Sequence, residues 1–217
     1  MKDTLFVFDI DGTLIDSAQS YALVLIEAFK HMGIVEIDTE FDNYLHHTDS
    51  YALQYNFEKN FDEPFNHDLF TVLDEALGKE IRQHPAVVEV NGAKNFIETL
   101  RDSNTAFAFA TGAFPIPTRY KMTQAEIWYD ESLLVTSIHH ITRETMVADA
   151  IEKAKTYFQL QSPKRIISVG DGLWDLETAN NLNIEFIGIG NGNKDVLLDN
   201  GCKTWFEDIE QLHAYFN

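Results

Sequence analysis

The stretch Leu5-Phe6-Val7-Phe8, followed at once by Asp9-Ile10-Asp11-Gly12-Thr13, limits the fold more than any other part of the sequence. So short and unbroken an apolar run reads as a strand buried on both faces, which belongs in a parallel sheet covered by helices on either side. Similar runs recur at Ala106 to Ala110, Leu133 to Thr136, Ile166 to Val169 and Glu185 to Ile189. Between most of them the apolar positions take helical spacing, as in Phe96, Ile97 and Leu100, or Met146, Val147, Ile151, Ala154 and Phe158. Alternating strands and helices predict an α/β fold, a doubly wound parallel sheet, Rossmann-like and three-layered.

One segment breaks the alternation. From Ser17 to about Pro85 the patterns are helical, with Ser17 placed to cap a helix through Tyr21, Val24, Leu25, Ala28 and Phe29, and Asn66 placed to cap another through Leu69, Val72, Leu73, Ala76 and Leu77. The expected organisation is a core of residues 1–16 and 86–217 with an all-helical insertion, 17–85, at the end of the first strand, where it can serve as a lid. A chain of 217 residues suffices for one such unit, expected to be a monomer.

Composition narrows the partners. With 16 Lys plus Arg against 35 Asp plus Glu, the formal charge is -19, which repels nucleic-acid backbones and anionic lipid heads. Neither nucleic acid nor membrane is expected as a partner, and no apolar run reaches membrane-spanning length. The stretch Leu5 to Phe8 is also too short for a secretory leader. Cys202 is the sole cysteine, so no internal disulfide forms, which fits a reducing cytoplasm; the residue reads as a small buried hydrophobe.

The acids after the strands carry the chemistry. An extended chain would point Asp9 and Asp11 the same way, and Gly12 allows a sharp turn behind them. Gly170-Asp171-Gly172-Leu173-Trp174-Asp175 follows the run Ile166 to Val169, with Asp171 at the strand end and Asp175 one turn into a helix. If these strands flank the switch point of a doubly wound sheet, Asp9, Asp11, Asp171 and Asp175 converge there. Clustered carboxylates invite a hard divalent ion such as Mg²⁺. An anionic substrate would then need positive elements nearby. Thr111 and Gly112, after Ala106 to Ala110, offer a hydroxyl and backbone N–H groups, and Arg143 at a helix start can grip a phosphate.

In this order the residues resemble the haloacid dehalogenase-like (HAD) hydrolase superfamily, in its phosphatase and phosphoglucomutase-like branch. The DxDGT signature is Asp9-Ile10-Asp11-Gly12-Thr13, the Thr signature is Thr111, and the last is Gly170-Asp171 with Asp175. The resemblance implies that residues 17–85 form the family's helical cap. It implies Asp9 as nucleophile, an aspartyl-phosphate intermediate, Asp11 as general acid and base, and Mg²⁺ held by Asp9, the Asp11 carbonyl and Asp171. The family's usual lysine corresponds best to Arg143, with Lys153 and Lys155 as the other candidates. The activity so implied is Mg²⁺-dependent hydrolysis of a small phosphorylated metabolite.

Two alternatives stand beside it: a phosphosugar mutase of the same fold, and a noncatalytic protein that binds metal or phosphate. Within the insertion, His46, His47, Thr48 and Asp49 are candidate substrate-binding residues, while Thr48 or Asp49 serves equally well as a helix cap. His139 and His140 read as a solvated loop, and Trp174 as either a support for the acidic loop or a substrate contact.

Overall fold

The computed structural model describes residues 3–216. Its elements in chain order are β1 (Thr4–Phe8), β2 (Ile15–Asp16), α1 (Ala18–His31), α2 (Asp49–Asn60), α3 (Leu69–Glu80), β3 (Val88–Glu89), α4 (Ala93–Asp102) and β4 (Ala106–Thr111). There follow α5 (Pro115–Gln124), β5 (Leu134–Thr136), α6 (Arg143–Tyr157), β6 (Arg165–Gly170), α7 (Leu173–Asn181), β7 (Glu185–Ile189), α8 (Lys194–Asp199), β8 (Trp205–Phe206) and α9 (Ile209–Phe216).

The main sheet is parallel, in the order β5-β4-β1-β6-β7-β8. The chain builds outward from β1 through β4 to β5, then returns to the other side of β1 with β6. That reversal puts the switch point between β1 and β6, where loops diverge and leave a crevice beyond the strand ends. Each of the expected strand runs is a strand; the short β2, β3 and β8 were not foreseen, because two residues carry no periodicity. The sheet is flanked by helices, with α4 packed on α9 and α6 on α7.

Why β1 sits centrally follows from its composition: all five of its residues are buried. Phe6 and Phe8 lie 5.8 Å apart, and Phe96 of α4 meets them edge-on at 5.8 and 6.0 Å. Such aromatic pairs each add about 0.5–1.5 kcal/mol beyond their burial and fix the floor under the residues that follow. Phe8 pairs with Phe109 on one side and Val169 on the other, and the Asp9 N–H still donates to the Val169 carbonyl at 2.9 Å. Asp9 is therefore the last residue tied to the ladder.

Beyond it the chain turns rather than continuing extended. Thr13 and Leu14 N–H groups donate back to the Ile10 carbonyl, and Gly12 has φ +84, a left-handed conformation that favours glycine. A side chain at position 12 would also collide with the Asp171 carboxylate.

Helices α1, α2 and α3 come between β2 and β3, which pair antiparallel through Ile15–Glu89 and Asp16–Val88. They share an apolar cluster that includes Val24, Phe29, Leu53, Leu73 and Leu77 and takes in Ala113 and Phe114 after β4. Ser17 does precede α1, but its hydroxyl makes no capping bond and turns to Asp11 instead. Asn66 likewise is not the cap of α3: its Oδ1 accepts from the Asp68 N–H, and the helix starts at Leu69. In both cases a nearer partner outcompetes the helix end. Cys202 is buried against Leu176 and Leu197, as a small hydrophobe. Among the described residues no helix is long and apolar enough to cross a membrane.

Candidate active site at the carboxyl ends of the strands

Asp9 at the end of β1, Asp171 after β6 and Asp175 in the first turn of α7 bring carboxylate oxygens within 4.8 Å of one another. Arg143, first residue of α6, spans the group. Its Nη2 donates to Asp9 Oδ1 at 2.7 Å and to Asp175 Oδ1 at 2.5 Å, while Nη1 donates to the His47 carbonyl at 3.1 Å. Thr13 Oγ1 donates to Asp171 at 3.3 Å, and the Gly172 N–H to Asp175 at 3.1 Å.

The electrostatics of this cluster are unbalanced. Burial, then the charge of Asp175, holds the Asp9 carboxyl well above its ordinary value, and Arg143 only partly opposes this. Burial, followed by Asp175, likewise lifts Asp171 to about 7. Burial works against the charge on Arg143, but Asp175 and Asp9 outweigh it and keep the guanidinium protonated. Three hard oxygen donors facing one guanidinium fit a hard divalent cation such as Mg²⁺, which would satisfy the remaining negative charge.

Asp11 does not join them. The expectation that all four carboxylates converge presumed extended backbone past Asp9, and the turn at Ile10 to Leu14 swings the Asp11 side chain away. Its oxygens accept from Lys121 Nζ at 2.5 and 2.7 Å and from Ser17 Oγ at 2.5 Å. Lys121 is wholly buried, on α5, and its ammonium lies 3.6 Å from the centroid of the Tyr21 ring.

Sequence reasoning missed Lys121. The available signal was its place on the inward face of α5 with Pro117, Thr118 and Met122, where a lysine needs a buried anion.

The N-terminal segment of α2 lines the site. Thr48 caps α2, accepting from the Tyr51 N–H at 3.2 Å, and donates to the Ile141 carbonyl at 2.7 Å. The Asp49 N–H donates to the Gly112 carbonyl at 2.8 Å. Asp49 Oδ2 accepts from the Tyr21 hydroxyl at 2.5 Å and the Phe114 N–H at 3.0 Å. Ser50 Oγ reaches the Ser137 and His140 carbonyls.

Thr111 Oγ1, buried at the end of β4, accepts from the Ala113 N–H at 3.1 Å. His47 stacks on Trp174 with ring centroids 4.4 Å apart, and His46 meets Tyr51 edge-on at 5.2 Å.

Other candidates lie elsewhere. Lys153 pairs with Asp149 and Lys155 with Glu152, both acids of the same helix. His140 faces Asp149 at 3.3 Å, and His139 is exposed.

Two cavities meet at this place. A chamber of about 160 Å³, open to solvent, reaches Asp9, Asp11, Thr111 and Gly112, and a groove of about 630 Å³ beside it runs past Glu144, Glu177 and Asn193. Tyr44, His47, Arg143 and Trp174 line both, so the His47–Trp174 stack stands between them.

A family model described as haloacid dehalogenase-like hydrolase matches residues 6–189. No curated protein matches significantly. Among solved structures, a hydrolase from Pseudomonas syringae is similar at 19% identity and TM-score 0.69, over 98% of this chain and 97% of that one. CbbY from Rhodobacter sphaeroides, solved with phosphate, aligns at 14% identity and TM-score 0.72, over 96% and 95%. A HAD hydrolase of family IA, variant 3, from Entamoeba histolytica aligns at 17% and TM-score 0.70, over 96% and 94%. At these identities the likeness establishes the fold.

Proposed function

Since the chain belongs to the haloacid dehalogenase-like hydrolase family, and Asp9, Asp171 and Asp175 lie together at the strand ends, we propose that it hydrolyses small phosphate monoesters in two steps. Asp9 attacks phosphorus, the bond from phosphorus to the alcohol oxygen breaks, and Asp11, which must enter this step protonated and so released from its pairing with the Lys121 ammonium, gives that oxygen a proton. Asp11 then takes a proton from water as the water attacks the aspartyl-phosphate, which releases inorganic phosphate and frees Asp9. Splitting the transfer lets each half use a positioned group instead of one difficult displacement.

The observation that carries this reading is the division of the two acids. Asp9 is held by Arg143 at 2.7 Å and Asp11 by Lys121 at 2.5 Å, so neighbours in sequence occupy separate environments. Carboxylates in different surroundings can take different roles, one as nucleophile and one as proton carrier. Thr111 and the backbone at Gly112 would receive phosphoryl oxygens, and Arg143 would orient the phosphoryl group.

Asp9, Asp171 and the Asp11 carbonyl would hold Mg²⁺, with Asp175 beside them. Bound there, the ion supplies charge neutralisation for the phosphoryl group and for a nucleophile that burial otherwise protonates. The helices between β2 and β3 would cap the site and exclude water from it.

Phosphate release from acetyl phosphate or an aryl phosphate with Mg²⁺ tests the reading. Asp9→Asn is expected to lose activity by at least about a thousandfold, and Asp11→Asn by about 10²–10⁴-fold. Full activity in Asp9→Asn would sink it.

A further inference from the structure

The walls of the chamber away from the acids are mostly carbon. Tyr21, Leu25, Phe41, Tyr44, Ala52 and Trp174 form them. The hydroxyls they carry are already committed, which leaves the Trp174 indole N–H as their available donor: the Tyr21 hydroxyl donates to Asp49, and the Tyr44 hydroxyl donates to the Asp38 carbonyl at 2.7 Å and accepts from Asn56 at 2.7 Å. Thr48 Oγ1 is bonded on both sides, to Ile141 and Tyr51. A hydroxyl-rich group entering here would give up its water for few new partners, which opposes binding.

Charge points the same way. Arg143 is the one Lys or Arg in the walls of either cavity among the described residues, and two carboxylates already engage it. The other nearby cation, Lys121, is occupied by Asp11. Asp49 lines the chamber and Glu144 and Glu177 the groove, in a chain of formal charge -19. A second phosphate on the substrate would find acids and no unoccupied lysine or arginine.

We infer that the chamber selects a monophosphate whose alcohol is compact, uncharged and apolar, one ring or a short branched chain, and that it rejects sugar phosphates and bisphosphates. The cavity of about 160 Å³ has to hold the phosphoryl group at Asp9 and Thr111 as well as the alcohol, which limits the alcohol to one ring or less, since an apolar cavity of about 150 Å³ takes up one benzene. The inference rests on the phosphohydrolase reading and extends it to substrate choice. It also separates hydrolysis from mutase chemistry, because a mutase must retain a bisphosphate while the intermediate turns over in the site.

The test compares kcat/KM for phenyl phosphate, benzyl phosphate, glucose 6-phosphate, fructose 1,6-bisphosphate and phosphocholine, with acetyl phosphate as a substrate that makes almost no demand on the chamber. Phenyl phosphate, and benzyl phosphate as a ring ester whose leaving alcohol is no more acidic than a sugar's, are each expected to exceed both sugar esters by about tenfold or more. Phe41→Leu is expected to lower the ratio of phenyl to acetyl phosphate turnover by about fivefold.

If acetyl phosphate is hydrolysed while a sugar ester matches or beats either ring ester, the substrate inference is overturned and the phosphohydrolase reading stands. Preference for phosphocholine overturns it as well, by showing that the aromatic walls receive a cation. If folded protein hydrolyses none of the panel, the underlying reading fails, and the inference with it.

Discussion

Lys121 and Arg143 divide the acids of the site between them, and their burial sets what each substitution should do. Asp11 retains 16% side-chain exposure and Lys121 only 1%. Removing one partner of a buried pair costs about 3–5 kcal/mol, because the other charge stays desolvated. Lys121→Met is therefore expected to destabilise the protein toward the lower end of that range, given the partial exposure of Asp11. The double variant with Asp11→Asn should recover most of the loss, and urea unfolding of both measures it.

At this scale the positions legible in the sequence were Asp9, Thr111 and Asp171 at or just past a strand end and Asp175 in the first turn of the helix that follows. The direction of the Asp11 side chain was not legible, because it depends on a turn whose shape is set by Gly12 meeting Asp171 across the fold. Lys121 was passed over because a lysine inside a helix reads as solvated until its inward face is counted.

Among elements, the first turn of α2 has the most consequences. Asp49 fastens it to the Phe114 N–H and Tyr21, and burial lifts this carboxyl from 3.8 to about 7. Between those values the folded protein keeps a proton that the unfolded chain has lost. The group's contribution to stability is thus full below about pH 4 and is lost as pH rises through about 7, with a slope approaching about 1.4 kcal/mol per pH unit. Asp49→Asn, which removes the titration, should flatten this part of the pH dependence by that amount in urea unfolding measured from pH 4 to 8.

The sheet elements were legible because burial on both faces leaves a plain apolar run. Helix starts were less so. Of the two caps open to α2, Thr48 and Asp49, Thr48 takes the place, but Ser17 and Asn66 each found a closer partner, and a serine or asparagine before a helix does not say which acceptor or donor will reach it first.

For the whole molecule, a net charge of -19 and three acids around one guanidinium leave negative charge to neutralise. A ligand that binds only the folded state stabilises it by about 2.7 kcal/mol at a hundred times its Kd. For a domain of this size Mg²⁺ at that concentration should raise Tm by about 5–10 °C. The same titration with Asp171→Asn should show little rise, and an equal rise there would remove Asp171 from the metal site. The three-layer architecture was legible from alternation alone, whereas the two cavities were not, since their walls come from segments as far apart as Tyr21, Phe41 and Trp174.

The pairing of β2 with β3 has a further consequence for how such a chain can diversify. Ile15 opposite Glu89 and Asp16 opposite Val88 bring the entry and exit of all three helices side by side. Two adjacent antiparallel ends need only a short turn to join them. Everything between therefore enters and leaves the fold at one point, so its length is not fixed by the spacing of the sheet's strands, provided a replacement covers Phe114 and supplies the contacts that Thr48, Asp49, Ser50 and Asp74 make.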